Sequence, residues 1–275
     1  MSYPIRCWFL LTLIACMLAG CSDGKDKLAE PTVVASNLVY GQKAKFALGV
    51  TSLRQGVSLT VDGCSNLTQV TDSSKSEEVF ECDLKTSGLI SFKAVDTAGT
   101  TVFSKGFLVP DPQVRFTTTL GSFTVDLLPA KAPETVENLL SYVSAGFYNG
   151  LIVHRVIPGF VVQMGGFLPG MLPKQTKDPI VLESNKGLSN LRATLGMART
   201  NDPNSATSQF YINLVDNRFL DYASDTSPGY AVFGSVSAGM DVIDLIAQRP
   251  TQTVAGVFQN VPVNDVLMLG AARIR

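Results

Sequence analysis

The chain has 275 residues, 45% of them hydrophobic and 16% charged, with a formal net charge of −1. Such a composition can bury a core and excludes an intrinsically disordered chain, which needs fewer apolar residues and more net charge. No basic excess exists to neutralise phosphates, so nucleic acid is not an expected partner. A single histidine, His154, and the lack of any CxxC pair argue against a metal site.

Arg6 precedes an apolar run over residues 7–20 that ends in Leu18-Ala19-Gly20-Cys21. A basic start, an apolar stretch and small residues before a cut describe a signal peptide over residues 1–20. The competing reading, a membrane-spanning helix, needs about 20 apolar residues, more than this run supplies. The small residues before Cys21 resemble the lipobox of bacterial lipoproteins. The resemblance implies that Cys21 becomes the first mature residue, carries acyl chains and anchors the protein to the membrane of the cell envelope. Ser22, where an aspartate would signal inner-membrane retention, points to the outer membrane facing the periplasm. Residues 21–30 are polar and small and read as a tether. Cys7 and Cys16 leave with the signal peptide, so Cys64 and Cys82 remain as an even pair in an oxidising compartment. A disulfide between them would stabilise the fold by about 3 kcal/mol in the chain-entropy model; two buried free thiols are the alternative.

Residues 31–109 carry short β-favouring runs around Val33 and over residues 45–48, 57–61, 79–82, 90–95 and 101–103. Turn signals such as Asp62-Gly63, residues 71–74 and Thr97-Ala98-Gly99 separate them. This pattern predicts a small β-sandwich, with a weak resemblance to bacterial immunoglobulin-like domains at its last hairpin. It contains no catalytic cluster. It is either a spacer or a module that binds a protein partner. Pro110-Asp111-Pro112 is the expected linker. Beyond it, residues 113–275 open with a β-hairpin through Gly121. Val136, Leu139, Leu140 and Val143 then mark one face of a helix that Pro133 starts and Gly146 stops. Strands follow over residues 152–164, broken at Pro158-Gly159. A second helix is expected over residues 239–249 and a closing strand over residues 262–274. Many strands with two helices suggest a closed barrel capped by helices.

Three blocks then become specific: Pro133-Glu134-Thr135-Val136-Glu137-Asn138-Leu139 with Gly146-Phe147-Tyr148-Asn149-Gly150; His154-Arg155-Val156-Ile157-Pro158-Gly159-Phe160-Val161-Val162-Gln163; and Met197-Ala198-Arg199-Thr200 with the run from Ser205 to Asn213 and Phe219-Leu220-Asp221. Tyr230-Ala231-Val232-Phe233-Gly234 closes the set. In this order they resemble the cyclophilin family of peptidyl-prolyl cis/trans isomerases, in its bacterial branch, from about Val114 to Ile274. The resemblance implies a mainly β chain: an immunoglobulin-like sandwich followed by an eight-stranded antiparallel barrel with two capping helices. It also implies catalysis of rotation about X-Pro bonds in segments of exported proteins, with no cofactor. A groove that binds proline segments with incidental turnover, or a chaperone surface, are the competing readings.

The same resemblance assigns residues. Arg155 matches the family's catalytic arginine. Phe160, Val161, Tyr211 and Leu220 match the walls of the proline pocket. Gln163 and Gln209 match substrate-binding positions, and Ala198 and Arg199 match a segment whose backbone pairs with the peptide. Phe219 stands where many members have tryptophan, which predicts weak cyclosporin binding, and Tyr230 where they often have histidine. His154 matches a position on the pocket rim, either positioning the pocket or serving a structural hydrogen bond. Val153, Met164 and Tyr211 depart from the family's usual residues, and the added Tyr211 hydroxyl needs a partner if buried.

Overall fold

The computed structural model describes residues 31–49, 57–70 and 77–275. The expected signal peptide, the Cys21 lipidation site, the tether and the turn at residues 71–74 lie outside the described residues. The N-terminal unit is built from β1 (Val33–Ser36), β2 (Lys43–Gly49), β3 (Ser58–Val61), β4 (Cys64–Val70), β5 (Glu77–Leu84), β6 (Gly88–Val95) and β7 (Thr101–Val109). They form a four-stranded sheet in the order β1-β2-β5-β4 and a three-stranded sheet in the order β3-β6-β7. Two-residue periodicity explains the pairing of faces. Ala44, Phe46 and Leu48 of β2 are buried between exposed Lys43 and Lys45, and Ile90, Phe92 and Ala94 of β6 do the same. The two inner faces meet where the Phe46 ring lies 5.6 Å from both Phe92 and Phe107. Strand β4 was not anticipated. Four of its seven residues are polar and none is buried, so pairing with β5 more than core burial defines it. A disulfide joins Cys64 on β4 to Cys82 on β5, with their Cα atoms 5.6 Å apart.

The second unit comprises β8 (Gln113–Thr118), β9 (Gly121–Leu127), α1 (Pro133–Ser144), β10 (Val153–Ile157), β11 (Val161–Met164), β12 (Phe167–Leu168), β13 (Leu172–Pro173), β14 (Thr194–Met197), β15 (Phe210–Asn213), β16 (Val232–Ala238), α2 (Met240–Ala247), β17 (Thr251–Val254), β18 (Phe258–Pro262) and β19 (Met268–Arg273). Eight of these strands make one antiparallel sheet, in the order β10-β11-β15-β14-β16-β9-β8-β19. The sheet curls as a half-barrel, and its ends approach. The Met268 N–H donates to the Leu151 carbonyl at 2.7 Å and the Val153 N–H to the Val266 carbonyl at 2.9 Å. Phe116, Phe123, Tyr148 and Phe210 fill the concave side with ring centroids 5.1–5.8 Å apart, each ring contributing about 2–3 kcal/mol by burial. The closing strand expected over residues 262–274 starts later, at Met268, because β18 ends at Pro262 and a loop intervenes.

Helix α1 starts at Pro133 as its sequence requires, and Gly146 takes the left-handed φ of +62° that ends it. The residue before α1, Ala132, provides no side-chain cap. The buried Glu183 carboxylate does so from 49 residues away, accepting the N–H groups of Glu134 (3.3 Å) and Thr135 (2.9 Å) and the Thr135 hydroxyl (2.8 Å). A carboxylate there also suits the positive end of the helix dipole.

The two units touch. Tyr40, 1% exposed, donates its hydroxyl to Glu137 on α1 at 3.4 Å and accepts from the Arg273 guanidinium on its carbonyl at 2.7 Å. Arg275 donates to the Asp111 carbonyl at 2.7 Å. Pro112 is buried and its carbonyl accepts the Leu127 N–H at 2.9 Å, so the short linker is itself packed.

Candidate active site

The site is laid out by strand register. Arg155 on β10 pairs with Gln163 on β11, Gln163 with Tyr211 on β15, and Tyr211 with Gly196 on β14. One row thus crosses four strands. The first of these pairings follows a bulge between Val153 and Arg155, at His154, a device that re-aims side chains beside functional sites. Gly196 ends the row for a steric reason: a Cβ there would sit 2.2 Å from Cζ of Tyr211. The missing side chain is what lets the Tyr211 ring lie across β14.

Arg155 is half-buried. Its Nη1 donates to Oε1 of Gln163 at 3.4 Å, and its guanidinium carbon lies 5.9 Å from the Phe160 ring centroid. Gln163 in turn donates to Oε1 of Gln209 at 3.0 Å, and the Gln209 carbonyl accepts the Ala198 N–H at 3.0 Å. A polar chain therefore runs from Arg155 to Ala198. The apolar wall lies beside it. Phe160 stacks on Phe219 at 5.8 Å, Tyr211 meets Tyr230 at 6.0 Å, and Leu220 accepts the Tyr230 N–H at 2.9 Å. Val161 and Tyr211 are buried, while Phe219 is 75% exposed at the edge. Arg199 lies with its guanidinium 4.6 Å from the Tyr230 ring and donates to the carbonyls of Gly229 and Thr200.

Of the residues singled out by resemblance, these contacts and the strand register bring together Arg155, Phe160, Gln163, Ala198, Arg199, Gln209, Tyr211, Phe219, Leu220 and Tyr230, with two refinements. The Ala198 N–H is already taken by Gln209, so backbone pairing at this segment has to use other groups. His154, which matches a pocket-rim position, is 5% exposed and stands edge-on to Phe167 at 4.8 Å. Its Nδ1 makes no hydrogen bond of ordinary geometry. Burial pushes the His154 pKa down to about 4, the nearby Gln209 and Ile152 oppose this only in part, and Arg155 adds to it. The imidazole is therefore neutral at pH 7. Cys64 and Cys82 belong to the other unit.

The scaffold behind the pocket lies partly outside the recognised motifs. The Tyr211 hydroxyl, whose pKa burial raises well above its usual value, donates to Oδ1 of Asn190 at 2.7 Å. Asn190 is fully buried and donates its own N–H and amide to Asp221 at 2.7 and 3.0 Å. Desolvation pushes the Asp221 pKa up, but hydrogen bonds from Ser189 and Asn190 outweigh it and hold the carboxyl below its ordinary range. Asn217 links this network to the wall by donating to the Phe160 carbonyl (3.0 Å) and to Asn213 (2.8 Å). Asn213 and Asp221 sit inside the quoted motifs, but Asn190 and Asn217 lie outside them. No periodicity marks a buried amide whose partners are distant in sequence.

Comparison with known proteins adds an independent line. The family model described as cyclophilin type peptidyl-prolyl cis-trans isomerase/CLD matches residues 113–271. A peptidyl-prolyl cis-trans isomerase of Acinetobacter baylyi is 53% identical over 156 residues, covering 57% of this chain and 82% of that protein. Peptidyl-prolyl cis-trans isomerase B of Escherichia coli is 50% identical over 157 residues, covering 56% of this chain and 95% of that protein. A crystal structure of a Cryptosporidium parvum cyclophilin type peptidyl-prolyl cis-trans isomerase, in the presence of the dipeptide Ala-Pro, has the same fold. Its TM-score is 0.52 and its identity 22%, over 59% of this chain and 99% of that one.

Proposed function

Because the chain belongs to the cyclophilin-type peptidyl-prolyl cis-trans isomerases and catalyses rotation about X-Pro bonds as its relatives do, we propose that Arg155 is the group that turns binding into catalysis. The amide barrier is about 18–20 kcal/mol because conjugation holds the C–N bond planar. No bond is made or broken, so the catalyst has only to favour the twisted amide over both planar forms. In the twisted state the prolyl nitrogen regains a lone pair. A donor held in place and aimed at that nitrogen stabilises this state selectively. Arg155 is permanently charged and carries a rigid fork of donors. Gln163 and the Phe160 ring fix its direction. The proline ring goes into the apolar wall of Phe160, Val161, Tyr211 and Leu220, with Phe219 as its outer edge. Gln163 and Gln209 hold the peptide backbone. The observation that carries this reading is the register row from Arg155 to Gly196.

The test is cis-to-trans conversion of a short Ala-Pro peptide. Arg155→Ala should lower kcat/KM about 100- to 1,000-fold while peptide affinity changes by only a few fold. Arg155→Lys keeps the charge without the fork and should fall between. An alanine variant that keeps half the parent's rate would remove Arg155 from this role.

We further propose that the activity serves the folding of exported proteins in the bacterial envelope, with Cys21 lipidated at the outer membrane. The lipobox-like Leu18-Ala19-Gly20-Cys21 and the Cys64–Cys82 disulfide, which suits an oxidising compartment, support this. The immunoglobulin-like N-terminal unit would be the spacer between membrane and catalyst, or the part that meets a protein partner. Leu89 and Leu108, opposed on β6 and β7 and 77% and 68% exposed, favour the partner role. Expressed with its N-terminus intact, the parent should fractionate with outer membranes and Cys21→Ala should not. Equal distribution of the two would refute the anchor.

A further inference from the structure

Strand β19 ends the eight-stranded sheet. Register decides which of its backbone groups are used. The Leu127 N–H donates to the Pro112 carbonyl, so alternate residues of β8 face β9, and those between them, Gln113, Arg115 and Thr117, face β19. There Arg115 and Thr117 oppose Ala272 and Gly270, and the Gln113 carbonyl accepts the Ile274 N–H at 2.9 Å. Alternation then turns the N–H and C=O groups of Ala271 and Arg273 away from β8, with no hydrogen-bond partner among the described residues. Such an edge is a template for another strand. This one opens into a cavity of about 650 Å³ where the two units meet, a size usual for ligand sites. Helix α1 adds Leu140 and Val143 to the lining, and the N-terminal unit adds Tyr40 and Lys85. None of the proline-site residues lines it.

The charges of this cleft are unbalanced. Lys85 and Arg273 both line it, against Glu137 as its one carboxylate, and Glu137 already accepts the Tyr40 hydroxyl. Arg273 uses Nε and Nη2 on the carbonyls of Arg275 and Tyr40, which leaves Nη1 over. Lys85 is exposed, and its ammonium makes no ion pair among the described residues. We propose that the cleft is a second polypeptide-binding groove, which takes an extended, acidic segment of the substrate chain at a distance from the proline being turned. The segment adds to the edge of β19 through the backbone groups of Ala271 and Arg273. Its apolar side chains meet Leu140 and Val143, and its carboxylates meet Lys85 and Arg273. Recognition through backbone and charge tolerates many sequences, as a catalyst acting on many chains requires. Because the groove shares no residue with the proline site, one chain can occupy both at once.

A proline-free, end-capped peptide, Thr-Val-Glu-Val-Glu-Val-Thr, tests the groove without involving the isomerase site. Titrated by fluorescence anisotropy, it should bind the parent about tenfold or more tighter than the same peptide with lysine for glutamate. Methylating alternate backbone N–H groups, in each of the two phases, should abolish binding in at least one of them, because strand addition needs those groups. Lys85→Glu and Ala272→Glu, both at exposed positions of the cleft, should each weaken binding of the glutamate peptide about 5- to 10-fold. Both should leave kcat/KM on a short Ala-Pro peptide within about twofold of the parent, and that rate judges the isomerase reading separately. Joining the heptapeptide to the Ala-Pro peptide through a flexible Gly/Ser linker of about 40 residues, long enough to pass around a unit of this size, should lower KM about tenfold in the parent and not in Lys85→Glu. Equal binding of the glutamate and lysine peptides, or binding that survives both substitutions, overturns the groove. Binding without any gain from the linked substrate overturns the substrate chain as its occupant and leaves a separate partner protein in its place.

Discussion

His154 illustrates how one buried group links stability to pH without entering the chemistry. Its folded-state pKa of about 4 lies below the ordinary value of 6.5 because burial disfavours the imidazolium. Above pH 6.5 both folded and unfolded chains carry it neutral, and it contributes no pH dependence. As pH falls from 6.5 toward 4 the unfolded chain takes up a proton that the folded one refuses, so stability is lost across that window. At pH 5 the loss is about 2 kcal/mol. Denaturant unfolding at pH 7 and pH 5 should therefore show the parent losing about 2 kcal/mol more than His154→Gln. Equal losses would mean that the imidazole titrates normally. Rotation about an amide needs no general base, so the kcat/KM of the parent should have no inflection attributable to His154 between pH 5 and 8. The Tyr211 hydroxyl, a departure from the family's phenylalanine, is a second case at this scale. Its partner Asn190 satisfies it, so the substitution is built into the wall rather than aimed at substrate.

At the scale of elements the site depends on strand register, and Gly196 is where that dependence is sharpest. Tyr211 opposes Gly196 across β14 and β15, and its ring occupies the space a Cβ would take. Gly196→Ala must push that ring outward, toward the proline wall and off Asn190. The expected result is a fall in kcat/KM of at least about tenfold, with a loss of about 1–3 kcal/mol from overpacking. Crystallography or the near-ultraviolet signal of the tyrosines would show the shift. An alanine variant with the parent's rate would mean that Tyr211 does not shape the pocket. Much of this level was legible beforehand. Alternation marked β2 and β6, the spacing of Val136, Leu139 and Val143 marked α1, and the His154-to-Gln163 block marked the hairpin that bears Arg155. Three things were not legible, each because its partner is far away in sequence or its residues are polar. Strand β4 lacks an apolar stripe, the cap of α1 comes from Glu183, and the bulge at His154 exists only relative to the register of β11. The hairpins at residues 167–173 and 251–262 were equally hidden, since they pack largely on each other, Phe167 against Phe258, across a long stretch of sequence.

For the whole molecule, the question is what the N-terminal unit does to the catalyst it carries. Their contact uses Tyr40, α1 and the end of β19, and none of the site residues takes part in it. Tyr40 is the centre of that contact. Burial and the neighbouring Glu137 carboxylate raise its pKa well above the usual value, so the hydroxyl stays a donor, while Arg273 grips its carbonyl. The apolar core runs through both units without a break. A junction of this kind should couple unfolding of the two units while leaving the chemistry alone. Tyr40→Ala opens the junction and should cost about 3–5 kcal/mol, as large-to-small changes of buried aromatics do. Calorimetry should then resolve two transitions where the parent has one, the N-terminal unit melting first despite its Cys64–Cys82 disulfide. The kcat/KM on a short Ala-Pro peptide should stay within about twofold of the parent, because the row from Arg155 to Gly196 is held by its own sheet and by the Asn190 network. If the rate falls in step with stability instead, the register of the curled sheet is transmitted through β19 and α1. The N-terminal unit would then tune the catalyst as well as carry it.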